Sequence, residues 1–209
     1  MKLGVALSGG GIRGVAHAGA LKAFEENGIK IDTIGGTSSG SLVAVLYAMG
    51  YTPYYIYMLF KRYAQELVAI ETTPIINTVS SFITNKKFQI YGFNSGEAIE
   101  KAYNEIALRK GIRYMSDIKM PIVIPAVDVK TSKEYVFTNK RNKSKYISDI
   151  PVGTAVRASS SFPGVFCPCV YKEFRFLDGG ILDNIPVNEV KKLGADKVIA
   201  INFKADDID

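Results

Sequence analysis

Three short segments carry residues that could do chemistry together. The first is "GTSSG", residues 36–40, a G-x-S-x-G with Ser38 at its centre. A serine on a sharp strand-to-helix turn exposes its hydroxyl as a nucleophile, and such a turn needs small neighbours such as Gly36 and Gly40. The second is "DGG", residues 178–180, at the end of a strand-like run. Gly179 and Gly180 leave the Asp178 carboxylate open at a sheet edge, although a DGG read in isolation is a plain turn. The third is "GGGIRG", residues 9–14. Its spacing also fits G-x-G-x-x-G, a dinucleotide fingerprint.

The context of each segment decides between these readings. A dinucleotide fold requires an acidic residue at the carboxyl end of the second strand. Here Asp32 stands at the start of the strand expected at residues 31–34, and "GTSSG" follows its end. The glycine loop therefore reads as an oxyanion hole, built by the backbone of Gly9, Gly10, Gly11, Ile12, Arg13 and Gly14 and facing Ser38. Arg13 has three roles open to it: orienting the loop, attracting an anionic head group, or forming a salt bridge at the helix start. A serine nucleophile also needs a base. The single histidine, His17, lies on the helix after the loop, awkwardly placed to reach Ser38, and reads as a packing residue. A Ser-His-Asp triad is disfavoured. A carboxylate acting directly remains, and Asp178 is the best candidate, given a raised pKa or good geometry. Asp183 and Asn184 read as a turn and a helix cap.

The elements that must position these groups alternate. Strands are expected at residues 2–8, 31–34 and 197–203, the last of them buried, with a strand pair at 120–138 turning near Thr131 and Ser132. Short strands are expected within 167–180. Helices are expected at 13–27, with Ala16, Ala20, Leu21 and Phe24 inward, and at 39–49, 94–108, 151–159 and 186–193; Asn94 caps the third. This order, with continuous apolar strands, indicates an α/β fold around a largely parallel sheet. Residues 51–93 are aromatic, rich in isoleucine and loosely periodic, and read as two or more helices.

A chain of 209 residues suits one domain with an inserted subregion. The net charge of +6 fits either an anionic surface or an ordinary solvated face. Basic residues cluster at 85–88, with Lys86 and Lys87, and at 139–145, with Lys140 and Lys145. No nucleic-acid-reading module is visible. No secretory leader pattern or spanning apolar run stands out, so the expected location is cytoplasmic with peripheral membrane contact. Cys167 and Cys169 with one histidine cannot complete a Cys/His zinc site. The acidic residues leave a carboxylate site for Mg²⁺ or Ca²⁺ open.

The order "GGGIRG", "GTSSG", "DGG" resembles the patatin-like phospholipases, and most of all their short bacterial members. "ASSSFPGVF" (residues 158–166) and "DNIPV" (183–187) add to the resemblance, which runs over residues 3–203. It implies a single-domain α/β/α sandwich with a mostly parallel central sheet, needing neither metal nor cofactor. It also implies hydrolysis of lipid acyl esters by a Ser38–Asp178 dyad, with the oxyanion hole at Gly9–Gly14. Residues 51–93 would line or cap the acyl site, with the lysine clusters toward anionic lipid. The alternative is a catalytically silent lipid- or partner-binding protein of the same fold.

Overall fold

The computed structural model describes residues 1–71, 95–140 and 144–203, with the backbone alone for 63–71. Strand β1 (Leu3–Leu7) lies in the middle of the parallel region, between β2 (Thr33–Gly36) and β8 (Lys197–Ile201). β2 pairs in parallel with the first residues of β3 (Ile122–Asp128). β3 turns at Ser132 into β4 (Lys133–Thr138), antiparallel to it, and β5 (Tyr146–Ile147) runs parallel to β4. The path is β5-β4-β3-β2-β1-β8, and β6 (Cys169–Tyr171) with β7 (Phe174–Asp178) joins it through β3.

That last junction matters most for function. β4 occupies one edge of β3 from Val123 to Asp128. On the opposite edge, β2 pairs with Ile122 and Val123, while β7 pairs antiparallel with Ala126 to Asp128. β2 and β7 therefore meet end to end along a single edge, each presenting its carboxyl terminus. Gly36 closes one strand and Asp178 the other.

Side-chain alternation separates two packed faces. Val5, Leu7, Ile34, Ile122, Ile124 and Phe137 belong to the larger core. That core is completed by α1 (Val15–Glu26), α2 (Ser39–Ala48), α3 (Pro53–Glu71), α4 (Glu97–Leu108) and α5 (Val152–Ser159). Ala6, Val123 and Val136 point the other way, against Val190 of α6 (Val187–Lys192) and Ala195. The result is a three-layer arrangement with a mostly parallel sheet, as expected.

Several expectations need correction. β2 begins at Thr33 rather than Ile31 and runs straight into the serine turn, which leaves Asp32 before the strand, accepting from the Leu3 N–H at 2.9 Å. The helix after the glycine loop starts as a 3-10 turn, Gly11–Gly14. Its α-helical part buries His17, Ala18 and Leu21 rather than Ala16, because small alanines are weak markers of the inward face. α4 begins at Glu97 after Gly96, and Ser95 Oγ accepts from the Glu97 N–H; Asn94 lies outside the described residues. β8 is not buried. It forms an edge among the described residues, and Ile199 on it is 40% exposed. Of the region expected to cap the acyl site, α3 is described and 72–94 lies outside the described residues, as do Lys86 and Lys87.

Candidate active site

The serine turn is sterically forced. Ser38 adopts φ 54°, ψ −123°, a conformation unusual for a side-chain-bearing residue. Its glycine neighbours allow the chain to pass. A Cβ on Gly36 would lie 2.2 Å from the Gly40 carbonyl oxygen, and one on Gly40 would lie 2.5 Å from that of Leu7. Local bonds fix the turn. Gly40 N–H donates to Thr37 O at 2.8 Å, Ser41 Oγ donates to Ser38 O at 2.6 Å, and Ser38 N–H reaches Ser159 Oγ at 3.3 Å.

Asp178 arrives from the far end of β3 and is 1% exposed. Its Oδ1 accepts from the Gly180 N–H at 2.7 Å. Oδ2 is buried without a strict hydrogen-bond partner among the described residues. Burial pushes the carboxyl above the ordinary carboxylate range, against the pull of the Ser38 hydroxyl and the Gly180 N–H. Ser38 is thus the side chain that faces the incompletely satisfied carboxylate. The two residues are 140 positions apart in sequence, and the β2–β3–β7 junction brings them together.

The glycine loop forms a wall of the same pocket. Not all of its amides are available. Gly9 N–H donates to Asn184 O at 3.1 Å and Arg13 N–H to Gly10 O at 3.3 Å, while Gly14 is buried inside the 3-10 turn. Among the described residues, the N–H groups of Gly10, Gly11 and Ile12 have no backbone acceptor. Arg13 makes no ion pair among the described residues. Its guanidinium donates to the carbonyls of Gly10 (3.4 Å) and Phe203 (3.1 Å).

His17 is fully buried and supports the loop from beneath. Its Nε2 bonds the Ser8 carbonyl at 2.8 Å, so Nε2 carries the proton, and Nδ1 is buried without a partner among the described residues. Burial lowers its pKa, with the Ser8 bond opposing. A neutral imidazole committed in this way packs the loop and takes no part as a base.

The pocket encloses about 540 Å³. Ser38, Asp178 and residues 9–13 line it beside an apolar wall of Leu42, Phe60, Ile99, Tyr103, Phe162 and Phe166. Among the described residues, Phe60 is the part of this wall that comes from residues 51–93. Leu42 follows the elbow on α2, Ile99 and Tyr103 project from α4, and the two other phenylalanines come from "ASSSFPGVF". Glu100 holds α4 against α5, accepting from Arg157 Nη1 at 2.7 Å and Thr154 Oγ1 at 2.6 Å.

Asn184 was missed as part of the site by sequence reasoning. It lines the pocket, its carbonyl holds Gly9, and it makes no side-chain cap on α6. Beside it, the Asp183 carbonyl accepts from Thr37 Oγ1 at 2.8 Å, so one turn braces both the glycine loop and the elbow. The only sequence signal was proximity to DGG. Lys145 is also reassigned. It lies between Glu134 (2.7 Å) and Glu189 (2.9 Å), an internal network rather than a cation held out for lipid. Residues 141–143 of that cluster lie outside the described residues.

Fold and site together define an α/β protein with a serine elbow set against a buried carboxylate and a glycine-rich loop. A family model for patatin-like phospholipases matches residues 5–191, and the chain belongs to that family. Lysophospholipase NTE1 of Debaryomyces hansenii is 36% identical over 207 residues, covering 96% of this chain and 12% of the relative. The NTE1 of Meyerozyma guilliermondii is 34% identical over 211 residues, covering 96% and 12%. The chain thus spans only about an eighth of the length of these curated relatives. VipD from Legionella pneumophila shares the fold at TM-score 0.59 and 16% identity, covering 95% of this chain and 49% of that one. A chain of the ExoU–SpcU heterodimer from Pseudomonas aeruginosa does so at TM-score 0.52 and 22% identity, covering 100% and 42%.

Proposed function

We propose that this chain is a hydrolase of lipid acyl esters that works through Ser38 and Asp178, with lysophospholipids as the first substrates to test. The observation that carries this reading is the buried Asp178 carboxylate facing Ser38 at one wall of a largely apolar pocket. The NTE1 relatives supply the lysophospholipid suggestion.

In the proposed sequence Ser38 Oγ attacks the ester carbonyl, and its proton passes to Asp178 Oδ2. Oδ1 is held by Gly180, so Oδ2 is the oxygen with spare capacity. Burial raises the affinity of this carboxylate for a proton, which lets a carboxylate do what histidine does in a triad. The developing oxyanion takes N–H groups of Gly10, Gly11 and Ile12, with Ser39 N–H at the start of α2 adding the local positive potential of a helix N-terminus. Collapse of the tetrahedral intermediate expels the alcohol, which takes the proton from Asp178 and leaves an acyl-Ser38. Water, deprotonated by Asp178, attacks the acyl carbon, and as the fatty acid is released Ser38 Oγ takes the proton back from Asp178. The apolar wall receives the acyl chain. Ile12, Phe162 and Val165 are exposed among the pocket-lining residues, which supports peripheral contact with a lipid surface at that side.

The test pairs a p-nitrophenyl ester and lysophosphatidylcholine with a fluorophosphonate probe, on wild type, Ser38→Ala and Asp178→Asn. Wild type should turn over and be labelled, Ser38→Ala should do neither, and Asp178→Asn should turn over at a small fraction of the wild-type rate. Lipid binding without turnover or labelling by wild type would leave the silent binding protein as the answer.

A further inference from the structure

Phe203, two residues beyond β8, meets the glycine loop at several points. Its ring packs on Gly10 so closely that a Cβ there would sit 2.5 Å from Phe203 Cδ2, and the three nearest atoms to that position all belong to Phe203. Its carbonyl accepts from Arg13 Nη1 at 3.1 Å. Its ring lies 4.3 Å from the imidazole of His17, the residue that holds Ser8 from below. Just before it, the Ile201 carbonyl accepts from Ser8 N–H at 3.0 Å. A loop so rich in glycine has much conformational freedom to lose, and oxyanion donors act only when fixed beforehand. Asn184 ties down Gly9 at one end, and α1 follows Gly14 at the other. Between them, Phe203 and Arg13 are the side chains that fasten Gly10.

We infer that Phe203, with Arg13, is a positioning residue that clamps the glycine loop in its donor geometry. As a statement about catalysis, this rests on the hydrolase reading above. It also gives position 10 its own reason to be glycine. Gly10, at φ 172° and ψ 17°, lies outside the left-handed region, and the Phe203 ring fills the space that a side chain there would take. Arg13 is accounted for as well, since its guanidinium spans the loop and the clamp rather than reaching for a head group.

The test is a double-mutant cycle on Gly10→Ala and Phe203→Ala, read on a soluble p-nitrophenyl ester. Hydrogen exchange of peptides covering residues 9–14 and Tm are measured alongside. Phe203→Ala should lower kcat about 10- to 100-fold with KM nearly unchanged, below the span seen when a whole oxyanion donor is lost. Exchange of the loop amides should accelerate while Tm stays well above the assay temperature. Phe203→Tyr should restore kcat. Gly10→Ala should be less harmful in the Phe203→Ala background than in wild type, because the colliding ring is gone. If Phe203→Ala does not fold, Phe203→Leu replaces it throughout. Unchanged loop exchange, or strictly additive kcat losses in the cycle, overturns the clamp. A wild-type protein without esterase activity instead defeats the hydrolase reading, and loop exchange then decides the clamp alone.

Discussion

Ser38→Gly should be a more stable protein than Ser38→Ala, although neither can do the chemistry. Both variants lose the hydroxyl, and both leave Asp178 facing the same gap, so those losses cancel. They differ in the Cβ, which the alanine variant must carry at φ 54°, ψ −123°. A side-chain-bearing residue held in such a sparsely populated region costs of order 1–3 kcal/mol. Glycine gives back about 0.4–1 kcal/mol through the greater freedom of its unfolded chain. The midpoints of the two ranges leave a net gain of about 1.3 kcal/mol, or about 3–5 °C in Tm for a chain of this size. Thermal denaturation followed by circular dichroism at neutral pH measures it, with a p-nitrophenyl ester confirming that neither variant turns over. If Ser38→Gly melts at or below Ser38→Ala, the elbow stores no such strain and the steric account of the turn is wrong.

Asp178→Asn should lose at least two orders of magnitude in kcat yet be more stable than wild type near neutral pH. The folded pKa of Asp178 is raised by burial, so wild type loses stability as pH rises through the unfolded value toward the folded one. The stability advantage of Asn should therefore shrink as pH falls toward the ordinary carboxylate pKa, as denaturant melts at several pH values will show. The acid limb of the wild-type kcat/KM profile should lie above that ordinary pKa, because the base must be ionised to act. Gly40→Ala should destabilise by about 1–3 kcal/mol in urea melts, since its Cβ would meet the Leu7 and Ser8 carbonyls, which are backbone and cannot swing aside. Burial pushes the Cys169 thiol up to about 12, so native protein at pH 8 should titrate at most one thiol with Ellman's reagent, Cys167, and two after unfolding.

The serine elbow was legible in the chain alone because its constraint is local. Gly36, Ser38 and Gly40 lie within five residues, and a tight turn between strand and helix tolerates little else. Asp178 was legible as a carboxylate at a strand end, and His17 as a packing residue, from their immediate neighbours, but the burial of Asp178 was not. The same local signals set the alternation of strands and helices, with boundaries displaced by one to three residues where caps and 3-10 turns compete. Nothing local says that β7 meets β2 end to end on one edge of β3, and that register brings Asp178 to Ser38. The apolar wall was likewise hidden, since Leu42, Ile99, Phe162 and Phe166 come from three separate segments and each reads alone as core. Asn184 and Phe203 carry no catalytic residue type, and only packing reveals what their carbonyls and rings hold. β8 looked buried because its residues are apolar, but burial depends on what covers a strand. Short-range sterics are written in adjacent residues, whereas the convergence of distant side chains depends on strand register and helix packing across the whole sheet.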